Sequence, residues 1–209
     1  EDHLLRRVIK NSGYLFSSNV LSAPLTAVQS ILAARTLGVA SYGLLGIVTS
    51  FVANINRLLS FRMGEPVVRY MGEFVTLGKR ERAAAVVKAA AITEAVTSLI
   101  TYLLLFLLAP WAARTIAKDP SSVRLIYFYG LMLVANLIPE TSTGILQVGG
   151  HFRVQAVINV LQSVVTCAVL AWAFLIHGSI WLVLSAYFLG KVLYGVGMTG
   201  YAFHQVGKM

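Results

Sequence analysis

Six separate stretches of this chain stay apolar for about twenty residues or more, and that pattern leaves few folds open. They run over about 13–34, 42–62, 84–110, 122–148, 153–176 and 179–203. A helix needs about 20 residues to cross the hydrocarbon core of a bilayer, and each stretch meets that length. Hydrophobic residues make up 57% of the chain and charged residues 12%, against roughly a quarter for a soluble domain. A single soluble core would leave much of this surface in water. The expected fold is therefore all-α, a polytopic membrane bundle of six transmembrane helices.

Proline and glycine punctuate the spans. Pro24 falls near the middle of the first and Pro139 inside the fourth, while Pro110 and Trp111 close the third. After the second span, a basic amphipathic connector runs from Gly64 to about Lys79. No alternating strand pattern, cysteine framework or low-complexity tract competes with the helices. The N-terminal residues EDHLLRRVIKNSGYLF lack the short apolar core and small-residue cleavage site of a signal peptide, so the chain is expected to be cut from a longer one.

A formal charge of +9 raises nucleic acid as a partner, but the basic residues sit in the short segments between spans, where membrane topology places them. With a cytoplasmic N-terminus, 11 of the 17 lysines and arginines fall inside, including Arg6, Arg7, Lys10 and Lys208. Four fall outside (Arg35, Arg114, Lys118 and Arg124), and Arg57 and Lys191 lie within spans. Both termini of the segment are thus expected in the cytoplasm.

Each span carries one polar stripe at three- and four-residue spacing. The stripes are Asn19, Ser22, Thr26 and Gln29 in the first span, and Gly43, Gly46, Ser50, Asn54 and Arg57 in the second. Glu94, Thr97 and Thr101 follow in the third, and Asn136, Glu140, Thr143 and Gln147 in the fourth. The fifth has Gln155, Asn159, Gln162 and Thr166, and the sixth Tyr187, Lys191 and Tyr194. Small and polar residues glue membrane helices together, and that accounts best for the glycines, serines and threonines. The alternative is a water-filled cavity, favoured by the four ionisable members Arg57, Glu94, Glu140 and Lys191. Each costs about 2.5–3.5 kcal/mol at a helix centre on insertion scales. Arg57, near a helix end, could also snorkel to the headgroups.

Catalysis and cofactors find no candidates. His3, His151, His177 and His204 lie at span ends or termini with no metal-binding spacing, and Cys167 sits alone in an apolar run. No phosphate-cradling glycine–lysine element is present, and the glycines of QVGGHFR read as an inter-helix turn. No cofactor and no metal are expected.

Three stretches resemble the polysaccharide flippases: ILAARTLGVASYGLLGIVTSF at 31–51, GEPVVRYMGEF at 64–74 and LQVGGHFRVQAVINVLQSVV at 146–165. These are the O-antigen and exopolysaccharide branch of the multidrug/oligosaccharidyl-lipid/polysaccharide transporter superfamily, which also holds lipid II flippases and multidrug and toxin extrusion carriers. The resemblance implies two six-helix lobes in a V, with a cationic cavity that opens alternately to each side. Residues 1–209 would be the N-terminal lobe, its partner the second lobe of the same chain, and its location the bacterial inner membrane.

The implied substrate is a polyprenyl-pyrophosphate-linked oligosaccharide. Arg57 and Arg35 are the arginines that could meet its pyrophosphate, with Asn54 and Asn56 suited to sugar hydroxyls and phosphate oxygens, and Lys191 joining that set. Glu94 or Glu140 would take a proton or cation to couple transport. The other readings are a cation-coupled multidrug exporter of the same superfamily and a membrane-embedded glycosyltransferase or polymerase acting on lipid-linked sugars.

Overall fold

The computed structural model describes residues 2–60 and 62–207, with side chains described from Gly13 onward except at the undescribed positions. Arg6, Arg7, Lys10 and Lys208, which carry part of the orientation argument, therefore lie outside the described side chains. The described residues are helical almost throughout and contain no strand.

Helix α1 (Asp2–Leu59) is two helices joined at Gly38, the one residue in it with non-helical torsions, φ 72° and ψ 173°. Its apolar part, Gly13–Leu59, has 47 residues, roughly 70 Å of helix against a hydrocarbon core of about 30 Å. One crossing cannot use that length. The break falls in the Ala-Arg-Thr-Leu-Gly run, at a positive φ that a residue without Cβ adopts freely. The two arms, 2–37 and 39–59, match the first two predicted spans, with a single residue where a short loop was expected.

Four further segments are long and apolar enough to cross a membrane: Arg80–Thr115, Ser122–Val148, Phe152–Leu175 and Ile180–Val206. Together with the two arms they give six crossings. The third, α4 (Arg80–Thr115), continues through Pro110 instead of ending there. Pro24 likewise stays inside its helix.

The fourth span departs most from expectation. A continuous helix over 122–148 is replaced by α5 (Ser122–Ala135) and α6 (Pro139–Val148), separated by the non-helical residues 136–138. Proline is the physical reason. Pro139 has no N–H to donate backwards, so it opens a new helix at the first position, where that donor is not needed. The last two spans are α7 (Phe152–Leu175) and α8 (Ile180–Val206).

The connector after the second span is also helical. It consists of α2 (Gly64–Pro66), a π-helical turn at Val67–Met71 and α3 (Gly72–Thr76). Its apolar side, Val67 and Met71, is fully buried and packs on α4 and α6. Gly144 of α6 permits the approach: a Cβ there would stand 2.9 Å from Val67 Cγ1 and 3.0 Å from the Gly64 carbonyl.

Two apolar clusters organise the bundle. One gathers Val48 and Val52, Leu105, Ile126, Leu170 and Leu184. The other gathers Val67, Met71, Val87, Ile145, Leu146 and Met198. The second arm, α4, α5–α6 and α8 each carry polar residues between the two clusters in sequence. Those polar segments meet.

A candidate substrate site at the break in the fourth span

The meeting place is a cavity of about 180 Å³. Asn56 and Ser60 border it from the end of the second arm, Glu94, Thr97, Ser98 and Thr101 from α4, and Asn136 and Glu140 from the two sides of the break. Lys191 and Tyr194 of α8 complete the polar wall. A second, more open cavity of about 440 Å³ adjoins it, lined by Arg62, Glu65, Arg69, Thr143 and Gln147 among others. Arg62 and Glu140 border both, so the inner cavity leads to the surface past the connector.

Breaking a helix inside a membrane exposes backbone groups that cost several kcal/mol each if left without partners. Here α4 supplies those partners. The Glu94 carboxylate accepts from the Glu140 N–H at 2.8 Å (Oε1) and from the Thr141 N–H at 2.9 Å (Oε2). It is an N-cap delivered from a neighbouring helix, with a negative charge at the positive end of the α6 dipole. One turn along α4, the Ser98 hydroxyl donates to the Leu137 carbonyl at 3.1 Å. Asn136 closes α5, its amide side chain and its backbone N–H both donating to the Met132 carbonyl at 2.9 Å. Pro139 has no N–H to satisfy. The accounting at the break is nearly complete.

Glu94 is only 8% exposed, whereas Glu140 borders both cavities. Among the described residues, the Glu140 carboxylate accepts one hydrogen bond, from the Ser60 hydroxyl at 3.0 Å. Lys191 reaches the same cavity from α8 and forms no ion pair among the described residues. The inner cavity thus joins two carboxylates, an ammonium group, carboxamides, hydroxyls and a phenol within an otherwise apolar bundle.

Of the seven residues singled out from the sequence, four come together here: Asn56, Glu94, Glu140 and Lys191. Asn54 and Arg57 do not line the cavity. They are exposed on another face of the second arm, in line with Gly43, Gly46 and Ser50, which are exposed too. Arg35 is also exposed and lies just before Gly38, with roughly 28 Å of helix between that turn and Arg57. Three contributors escaped the sequence reading: Ser60, Arg62 and Ser98. Ser98 stands four residues after Glu94, so the same spacing rule could have found it.

In the stripes of the first and fifth spans, Gln29 and Thr166 serve packing. The Gln29 amide donates to the Ser163 carbonyl at 2.8 Å, tying the first arm to α7, and both residues are buried. Thr166 of α7 lies directly against Gly190 of α8.

A sequence model described as polysaccharide biosynthesis protein matches residues 8–208, nearly the whole chain. The chain belongs to the polysaccharide biosynthesis protein family. Within that setting it is similar to the inner membrane protein YghQ of Escherichia coli (strain K12), with 28% identity over 175 residues. The alignment covers 83% of this chain and 49% of that protein, so the chain spans about half the length of the curated relative it matches. No solved structure matches it significantly. This family member is therefore a helical membrane bundle whose polar residues converge where one span is broken.

Proposed function

We propose that this chain is one lobe of a transporter that moves a polyprenyl-pyrophosphate-linked oligosaccharide across the inner membrane by alternating access, driven by a proton or cation. The observation that carries the reading is the cavity at the break, where Asn56, Glu94, Glu140 and Lys191 meet from four elements. Irregular backbone at membrane depth is stable only when buried in protein or lining a wet cavity, and broken spans are a recurrent place for transport sites. Family membership supplies the polysaccharide setting.

In this reading the sugar head group enters the cavity while the polyprenyl tail stays in lipid. Asn56 bonds sugar hydroxyls, and Lys191 meets an anionic or acceptor group. Glu140 takes up and releases the coupling proton or cation beside it. Asn54 and Arg57 present their exposed stripe to the second lobe, so that the pyrophosphate passes between the halves, and Arg35 anchors the outer interface. The role is transport rather than catalysis, and both termini of the segment lie in the cytoplasm.

The test uses the full-length protein in cells that depend on it for surface polysaccharide. Lys191→Ala and Arg57→Ala are each expected to abolish export while membrane insertion stays normal. Normal export by Lys191→Ala would remove the cavity assignment, and normal export by Arg57→Ala the pyrophosphate path. Unchanged surface polysaccharide on deleting the protein, together with altered drug susceptibility, would point to the multidrug exporter instead.

A further inference from the structure

The buried Glu94 and the half-buried Glu140 stand side by side yet have different surroundings, and that difference separates their roles. We infer that Glu94 is a positioning residue: by holding the N-terminus of α6 it presents the Glu140 side chain to the cavity, and it does not itself exchange the coupling ion. This rests on the transport reading above.

Glu94 already has both carboxylate oxygens engaged, by adjacent backbone N–H groups at 2.8 and 2.9 Å. One of those N–H groups belongs to Glu140 itself. Holding the peptide nitrogen of residue 140 fixes where its side chain departs, and that side chain meets Ser60 at the end of the second arm. Ser98 holds the middle of the break through Leu137. Thus α4 holds the non-helical residues at Leu137 and the first turn of α6 at Glu140 and Thr141, and Glu140 projects from that held turn.

Glutamine cannot replace Glu94. A carboxylate accepts at both oxygens, whereas a carboxamide offers one acceptor and turns an N–H₂ donor toward the second N–H. Aspartate keeps the charge but loses one methylene of reach. The charged and titratable groups bordering the cavities of Glu140 are Arg62, Glu65, Arg69, Glu94, Lys191 and Tyr194.

Two measurements on the full-length protein freed of its native cysteines, Cys167 among them, test the inference. The first does not depend on transport: the rate at which a membrane-impermeant thiol reagent modifies Glu140→Cys, with Glu94 and with Glu94→Gln. The peptide N–H of residue 140 survives the cysteine substitution, so the clamp can still be read. Loss of the cap should change that rate about tenfold, as expected when a charged hydrogen-bond partner is removed. Equal rates would overturn the positioning role, whatever the protein transports. Should Glu94→Gln fail to insert, Glu94→Asp is read in the same assay, where a changed rate is again expected and an unchanged one overturns the positioning role.

The second measurement follows export from about pH 3.5 to about pH 8, which spans the ordinary glutamate and histidine ranges in proteins. Glu140→Gln is expected to abolish the pH dependence. Glu94→Gln should lower export at every pH while leaving the profile's midpoint in place. The reverse pattern would make Glu94 the coupling group and overturn the inference. A profile unaffected by either change would refute the coupling role of Glu140, while the labelling assay would still decide the role of Glu94.

Discussion

Two polar regions of this bundle are built from similar residues and behave differently. Between the first arm of α1, α7 and α8, Gln29, Ser163, Thr166 and Gly190 form a closed interface in which buried polar groups find backbone partners. Between the second arm, α4, α5–α6 and α8, the groups do not close on one another but surround open volume. Backbone continuity makes the difference. Intact helices satisfy their own N–H and C=O groups, so their polar side chains are free to bond across and draw the helices together. A broken helix leaves backbone groups without helical partners, and its neighbours must spend side chains on those loose ends. Polarity in a span therefore does not announce a cavity. Polarity beside a break does.

The comparison is sharpened first at the cavity, where the largest effects are expected. Replacing Lys191 or Glu140 by alanine should reduce export by about 10- to 100-fold, because each removes a charged hydrogen-bonding group that the transport reading assigns to the substrate or the coupling ion. Export of labelled polysaccharide per unit of inserted protein measures this. If either variant exports normally, the cavity is only a packing defect.

Next comes steric closure of the break. Gly195 of α8 lies directly against the Asn136 side chain, with the Ala135 carbonyl 3.2 Å from where a Cβ would stand. Gly195→Val should cost about 1–3 kcal/mol in stability by overpacking, and it should also impair export by displacing Asn136. Thermal unfolding in detergent, read beside export, checks both. Gly190→Val presses on Thr166 in the closed interface instead, and should lower stability to a similar extent while sparing export by the protein that survives.

The smallest effect belongs to the closed interface. Gln29→Leu removes one interhelical hydrogen bond and should cost about 1 kcal/mol with export unchanged. A loss of export greater than the loss of folded protein would mean that the first arm also borders the transport path.

Much of this architecture was legible in the chain. Span length and apolarity give the six crossings, because the bilayer imposes one dimension on every helix. The spacing rule found Glu94, Glu140 and Lys191, because residues three and four apart share a helix face wherever that face points. It failed for Arg57, since a stripe's existence does not say which neighbour it meets. Only packing shows that Asn56 turns to the cavity while Asn54 and Arg57 turn away. Pro139 was visible as a weak point, yet the length of the break was not, because it depends on Glu94 and Ser98 reaching across from α4. Ser60 and Arg62 lie in a short connector whose course is set by the burial of Val67 and Met71, a long-range fact absent from local pattern.

The account stands on the break being wet and the α1–α7 interface being dry. Single cysteines in the full-length protein freed of its native cysteines, Cys167 among them, measure that directly, by modification with a membrane-impermeant thiol reagent. Asn56→Cys and Asn136→Cys should react readily, whereas Gln29→Cys and Ser163→Cys should remain inert until the protein is unfolded. Inert thiols at positions 56 and 136, or equal reactivity at all four, would contradict it.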